Sequence, residues 1–285
     1  MILFKKATDL HSWIDNQHLA TGEIGFVPTM GALHDGHLSL IEASKKENTI
    51  TISSIFVNPA QFNDPKDFEK YPVTIEKDIL LLEKAGCDVL FIPSVKEIYP
   101  DGIAIKKHYE LGYIETVLDG KFRPGHFQGV SMVVQRLLEI VLPDRLYLGQ
   151  KDYQQCMVIT KLIELIGLKE KIEVVICPTL REPNGLAMSS RNMRLSPDEK
   201  EKASVIYKSL SMIKEHFGKE NPAILKQKAQ QMLEEAGLKP DYIEIIDAKD
   251  FSVVEKWETN KKTVALAAAF INEVRLIDNM VLNPM

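Results

Sequence analysis

The run Ile24-Gly25-Phe26-Val27-Pro28-Thr29-Met30-Gly31-Ala32-Leu33-His34-Asp35-Gly36-His37 decides the fold. Ile24 to Val27 is an apolar stretch of strand length, and Asp35 to Lys46 follows with Leu38, Leu40 and Ile41 at helical spacing. A strand that feeds directly into a helix is the first half of a βαβ unit. Thr49 to Val57, apolar and rich in β-branched residues, completes the unit as a strand buried on both faces.

Moving outward, the same rhythm continues. Thr74 to Ala85 reads as an amphipathic helix closed by Gly86, and Asp88 to Ile92 as a strand stopped by Pro93. Residues 94 to 126 break the pattern, with Pro100, Asp101-Gly102 and Gly120 to His126 predicting loops and short extended pieces. Phe127 to Val141 resumes as a helix, Arg145 to Leu148 as a strand, Tyr153 to Ile166 as a helix and Ile172 to Ile176 as a strand ending at Pro178. Five strands with helical crossovers predict a parallel α/β sheet over residues 1–178. Beyond it, Pro197 to Phe217 and Pro222 to Ala236 read as helices, and Tyr242 to Ile246, Thr263 to Phe270 and Val274 to Leu282 as an antiparallel sheet. This predicts a smaller α+β domain over 179–285, with the polar segment Thr179 to Arg194 as hinge and motif carrier.

The chain has 285 residues, 45% hydrophobic and 26% charged, which is the composition of a folded globular protein and not of a disordered or fibrous one. The formal net charge of −5 disfavours a protein devoted to nucleic-acid phosphate, so any anionic ligand must be met by local groups. Cys87, Cys156 and Cys177 form no CxxC pair and their odd number leaves no complete disulfide framework, which predicts a reducing, cytoplasmic setting. The opening MILFKKATDLHSWI is too polar for a signal peptide, and Val264 to Ile271, the longest apolar run, is strand-sized and far short of the ~20 residues of a membrane helix, so no membrane association is expected.

The strand-to-helix turn carries the strongest chemical signal. Ligands of parallel α/β sheets collect at the carboxyl ends of strands, and a helix start offers unpaired N–H groups and partial positive charge to anions. His34 and His37, three apart, fall on one helix face, where their N–H groups suit phosphate oxygens. The same pair also suits helix capping, or a shared zinc ion, although no third ligand adjoins them and every cysteine is remote. Gly31 and Gly36 favour close backbone approach. Asn58 and Gln61, past the end of the second strand, are amides that suit a turn or a ligand carboxylate, hydroxyl or amine. Gly149-Gln150-Lys151-Asp152 opens another helix with a compact cation and an acceptor, which fits a solvated charged loop as well as a phosphate and ribose site. Met188-Ser189-Ser190-Arg191 puts hydroxyls and a guanidinium on one loop, which suits either a serine-rich hinge without a ligand or a loop able to close over a triphosphate.

HDGH resembles the HxGH signature of the nucleotidyltransferase superfamily related to class I aminoacyl-tRNA synthetases. PTMGALHDGH (28–37), SIFVNPAQF (54–62), YPVT (71–74), RPGHFQGV (123–130), LGQKDYQQ (148–155) and GLAMSSRN (185–192), with LIDN (276–279), together resemble the pantoate–β-alanine ligase family across nearly the whole chain. The resemblance implies a Rossmann-like parallel sheet of the HxGH nucleotidyltransferase type with a smaller C-terminal α+β lid domain. It also implies an adenylate-forming ligase that uses ATP, Mg²⁺, pantoate and β-alanine, usually as a homodimer. By the same resemblance, Met30, Gly31, His34, His37, Gly149, Lys151, Asp152, Leu180, Met188, Ser189, Ser190 and Arg191 serve ATP, with His37, His34 and Lys151 as the catalytic group. Gln61, Gln155, Asn58, Arg123 and Tyr71 serve pantoate and β-alanine, and Asp78 approaches a nucleotide-bound Mg²⁺. Gln150 stands where the family often has an acid. A transferase that moves AMP onto a phosphate ester would want cations where Gln61 and Gln155 stand, and an RNA-binding module would want a basic stripe interleaved with aromatics.

Overall fold

The computed structural model describes residues 1–18, 22–104, 107–258 and 260–283. Its first unit comprises residues 1–111, 123–150 and 154–178. Here β1 (Ile2–Phe4), β2 (Ile24–Thr29), β3 (Ile50–Ile55), β4 (Val89–Phe91), β5 (Arg145–Gly149) and β6 (Glu173–Cys177) form one sheet in the order β1-β4-β3-β2-β5-β6. Every pairing in it is parallel. Ile24, Val27, Ile52, Val89, Leu90 and Phe91 are fully buried, as strands covered by helices on both faces require. Gly25 allows the helix Asp35–Glu47 to lie close on the sheet, since a Cβ there would meet Ser44 Oγ at 2.1 Å and Asn48 Nδ2 at 2.6 Å. From β2 the chain winds through β3 to β4 on one side, and β5 and β6 lie on the other. The carboxyl ends of β2 and β5 therefore flank the point where the winding reverses, the place where such sheets bind ligands.

The sixth strand corrects the expectation of five. β1 is a three-residue edge strand followed by the helix Ala7–His18. Ile2 and Leu3 are 46% and 40% exposed, so the strand is neither long enough nor buried enough to show a period. The stretch 94–126 is also more helical than predicted, with helices at Val95–Ile98 and Asp119–Phe122 and a 3₁₀ turn at Gly112–Glu115. Ser94 caps the first of these by accepting from Glu97 N at 3.2 Å, but single turns are too short to declare a helical period. Residues 105–106 of that stretch lie outside the described residues.

The second unit comprises residues 112–122, 151–153 and 179–285. β7 (Lys239–Asp247), β8 (Thr263–Ile271) and β9 (Val274–Val281) form an antiparallel sheet. Helices Val205–Glu215 and Pro222–Glu235 bury Ile206, Leu210, Ile213, Leu225, Ala229 and Leu233 in a core shared with Ala265, Ala267 and Leu276 of that sheet. The helix expected over 197–217 is two, Pro197–Ala203 and Val205–Glu215. The break falls at buried Ser204, whose hydroxyl donates back to Glu201 O at 2.6 Å. Arg275 of β9 ties the 112–122 segment to this unit by donating to Asp119 Oδ1 at 2.6 Å and to Asp241 Oδ2 at 2.7 Å. Among the described residues no helix is long and apolar enough to cross a membrane.

Candidate active site

In the first unit the decisive turn leaves β2 at Thr29. Thr29 Oγ1 donates to Ser54 O at 2.8 Å and accepts from Gly31 N at 3.2 Å, which locks the strand end to β3. Gly31 (φ +80°) and Ala32 (φ +50°) then both take left-handed backbone, and the helix starts with His34 as its N-cap. The His34 and His37 rings lie 4.1 Å apart, so the two imidazoles form one half-buried group. His37 Nδ1 accepts from His34 N at 3.4 Å. A neutral His37 that accepts there carries its proton on Nε2, the form that can donate to a ligand oxygen. The capping role of the pair and its suitability for an anion are thus the same geometry. No group of three metal-ligating side chains occurs among the described residues.

Asn58 and Gln61 occupy a 3₁₀ turn after β3, and their amides meet. Asn58 Nδ2 donates to Gln61 Oε1 and to Gly129 O, both at 3.1 Å, while its Oδ1 accepts from Tyr99 OH at 2.7 Å and Ala60 N at 3.2 Å. All of its hydrogen-bonding capacity is spent inside the protein, and its effect is to orient Gln61. Gln61 Nε2 donates to Met30 Sδ at 3.1 Å, which joins this turn to the HDGH turn. His126 braces it from the other side. Its Nε2 is 3.0 Å from Arg123 Nη1, which can only donate, so Nδ1 holds the ring proton and donates to Gln61 O at 2.8 Å. Arg123 also donates to Asn63 Oδ1 at 3.4 Å. Tyr71 is buried edge-on against Phe62, with centroids 5.8 Å apart. Gln155 is half-buried in the helix that follows β5, and Gly149 ends β5 with open space where a Cβ would stand.

Asp78 is fully buried, and its carboxylate turns inward. Oδ2 accepts from Ala32 N at 2.9 Å, and Oδ1 from Leu33 N at 2.8 Å and Thr74 Oγ1 at 3.0 Å. Beside it a cavity of about 270 Å³ is bounded by Met30–Ala32, Ile55–Val57, Val73–Ile75 and Ile92–Val95.

The second unit holds the other motifs. Lys151 Nζ lies 3.4 Å from Asp152 Oδ1, and its backbone carbonyl accepts from Asn279 Nδ2 at 2.9 Å. The segment expected as a hinge is a hydrogen-bonded hairpin of this unit: Met188 N donates to Leu180 O at 3.0 Å and Glu182 N to Leu186 O at 2.8 Å. Leu180 is 40% exposed at its base. Ser189 caps a 3₁₀ turn, Ser190–Arg194, by accepting from Arg191 N at 3.3 Å, and Ser190 is buried. Asn192 Nδ2 fastens that turn by donating to Glu182 Oε1 at 2.8 Å and Ala187 O at 3.1 Å.

Sequence reasoning did not find Tyr99, Thr74 and Gly129, and it assigned His126 no individual role. Thr74 alone carried a local signal, because it stands four residues before Asp78 at a helix start. The others act through contacts made at long sequence separation. Gly129 has no Cβ because Ala60 O would lie 2.2 Å from it.

The family model for pantoate-beta-alanine ligase matches residues 2–281. A pantothenate synthetase of Caldicellulosiruptor saccharolyticus is 48% identical over 265 residues, which cover 90% of this chain and 91% of that protein. The crystal structure of pantothenate synthetase from Thermus thermophilus superposes with a TM-score of 0.91 at 38% identity over 100% of each chain. A pantoate-beta-alanine ligase from Francisella tularensis, complexed with beta-gamma ATP and beta-alanine, superposes with a TM-score of 0.80 at 41% identity, covering 99% of this chain and 98% of that one.

Proposed function

The chain belongs to the pantoate–β-alanine ligase family, and from that premise we propose how its own residues carry out the ATP-dependent joining of pantoate to β-alanine. A free carboxylate is a poor acylating agent because its leaving group would be oxide. In the reaction we assign, a pantoate carboxylate oxygen attacks the α-phosphorus of ATP, the bond to the bridging oxygen breaks, and pyrophosphate leaves. The amine of β-alanine then attacks the carbonyl of pantoyl adenylate and gives up a proton as AMP departs with the C–O bonding pair, leaving the amide pantothenate. Neither step needs an enzyme nucleophile. The three thiols fit that economy, since all are buried and burial pushes the Cys87 thiol up to about 11.

The observation that carries the assignment is the paired His34 and His37 at the helix start beyond the carboxyl end of β2. Donors fixed at a helix N-terminus suit the charge that develops on phosphate oxygens in the first step. His37, with Nε2–H, and His34 take that role, and the Lys151 ammonium takes the leaving pyrophosphate charge. Met30, Gly31 and Gly149 supply close backbone approach. Asp152 serves the ribose, Leu180 the adenine, and Met188 to Arg191 the phosphates. Gln61, oriented by Asn58 and His126, binds pantoate and lies where β-alanine enters, with Gln155, Arg123 and Tyr71 completing that specificity. Mg²⁺ comes as the counter-ion of the nucleotide, because the described residues provide no cluster to hold it and the Asp78 oxygens are already engaged. The three unpaired cysteines support a reducing, cytoplasmic setting. The homodimer implied by the family is tested by sedimentation, where a species of monomer mass at micromolar concentration rejects it.

The decisive assay is ATP–pyrophosphate exchange with Mg²⁺, with and without pantoate, and with no amine present. Exchange that requires pantoate, followed by formation of AMP and pantothenate once β-alanine is added, is the expected result. Exchange independent of pantoate rejects the acceptor assignment.

A further inference from the structure

We propose that Asp78 is a positioning residue that holds the HDGH turn in its working shape, and that it is not a metal ligand. The inference deepens the ligase reading and rests on it for the reaction affected.

The backbone from Gly31 to Leu33 is held in a costly shape. Gly31 and Ala32 take φ of +80° and +50°, and for an alanine the left-handed region costs roughly 1–2 kcal/mol. The successive N–H groups of a tight turn can converge on an anion. Here the anion is supplied by the protein itself. The two oxygens of Asp78 take one amide each, Ala32 N at 2.9 Å and Leu33 N at 2.8 Å, in the short range of charge-assisted bonds. Thr74 Oγ1 adds a third donor at 3.0 Å and fixes the carboxylate plane. Asp78 also lies in the first turn of its own helix, Ile75–Lys84, where negative charge is favoured.

The fit is close on every side. A Cβ on Gly31 would stand 3.1 Å from Asp78 Oδ2 and 3.0 Å from Ile55 Cγ2, so the turn already touches the carboxylate. A Mg²⁺ ion needs near-octahedral oxygen ligands at about 2.1 Å. Asp78 is fully buried and three of its roughly four lone-pair sites are taken by Ala32 N, Leu33 N and Thr74 Oγ1, which leaves at most one site on Oδ2 and makes it a poor ligand for such an ion. His34 follows Leu33 directly, so the clamp sets where the His34–His37 pair begins.

The test is Asp78→Asn, an isosteric change that keeps one acceptor and sets an NH₂ group against the other amide. We expect kcat for pantothenate formation to fall about 10- to 100-fold, the scale of a displacement of about 1 Å at reacting groups. The Mg²⁺ concentration for half-maximal rate should stay at the wild-type value. A raised Mg²⁺ requirement with recovery at high Mg²⁺ overturns the proposal in favour of a metal ligand, and unchanged kinetics overturns it outright. If the variant does not fold, hydrogen exchange in the wild-type protein decides. Ala32 and Leu33 amides that exchange slowly support the clamp, and exchange at the rate of open turn amides overturns it. This last readout needs no substrate, so a failure of the ligase reading appears separately as a wild-type protein that makes no pantothenate.

Discussion

Arg181 holds Asp278 through two hydrogen bonds, Nη1 to Oδ2 at 2.6 Å and Nη2 to Oδ1 at 3.0 Å, and so fastens the hairpin that leads to Met188–Arg191 onto β9. The guanidinium lies over the Tyr207 ring at 4.3 Å and also donates to Gly185 O at 3.1 Å. Asn279, the next residue of β9, donates its backbone N–H to Asp278 Oδ1 at 2.8 Å and its side chain to the Lys151 carbonyl. One buried carboxylate therefore stands between two motifs that are far apart in sequence. Burial pushes the Asp278 carboxyl up and Arg181 pulls it down. Arg181→Ala removes the pull and leaves a buried charge, which should cost about 3–5 kcal/mol of stability in urea unfolding of the second unit. Because the folded carboxyl is then raised further, the deficit should be full above its folded pKa and shrink as pH falls toward the ordinary carboxylate range. A deficit that stays constant as the pH is lowered from above the folded pKa into the ordinary carboxylate range would assign the loss to the Tyr207 stacking instead.

His37→Ala and Lys151→Ala are each expected to lower kcat by about 100-fold or more, the effect of deleting one preorganised donor to developing charge. Pantoate-dependent ATP–pyrophosphate exchange isolates the first step, and equilibrium ATP binding should change far less than the rate. Near-normal exchange in either folded variant would strip that residue of its role.

Sequence patterning revealed the central strands and the helix after β2 because buried parallel strands and an amphipathic helix have strong periods and sharp Gly and Pro boundaries. β1 was invisible, since three half-exposed residues at a sheet edge carry no period. At the site, HDGH and the Gln61 turn were legible as local motifs. The partners that shape them were not, because Tyr99 reaches Asn58 across 41 residues, His126 reaches Gln61 across 65, and Asp78 reaches Ala32 across 46. Asp78 is the sharpest case. A carboxylate near an ATP motif reads as a metal ligand in one dimension, whereas its backbone partners exist only after folding.

Gly129→Ala should be disproportionate for so small a change. The added methyl would meet Ala60 O at 2.2 Å and Gln61 Cα at 2.9 Å, and backbone atoms cannot swing aside as a side-chain tip can. Overpacking of this kind costs about 1–3 kcal/mol. The displacement falls on the turn that carries Gln61, so KM for pantoate should rise while KM for ATP stays within about twofold. Equal changes in both constants would mean that the strain spreads beyond this turn.

Cys87 provides a test in the alkaline range. It is buried just before β4, where its thiol donates to Val89 O at 3.2 Å, and burial favours the neutral form and raises its pKa to about 11. The ordinary thiol value is about 8.5. A raised folded pKa means that the unfolded chain loses this proton first. Its contribution to stability is therefore complete below the ordinary value and is lost as pH rises toward the folded one. Urea unfolding measured from pH 8 to 11 should show falling stability, and Cys87→Ala should remove about one proton's worth of that slope at the expense of a small cavity. Over the same span the native thiol should react with iodoacetamide far more slowly than in denaturant. Rapid modification of Cys87 at pH 8 in the folded protein would contradict the buried, neutral state.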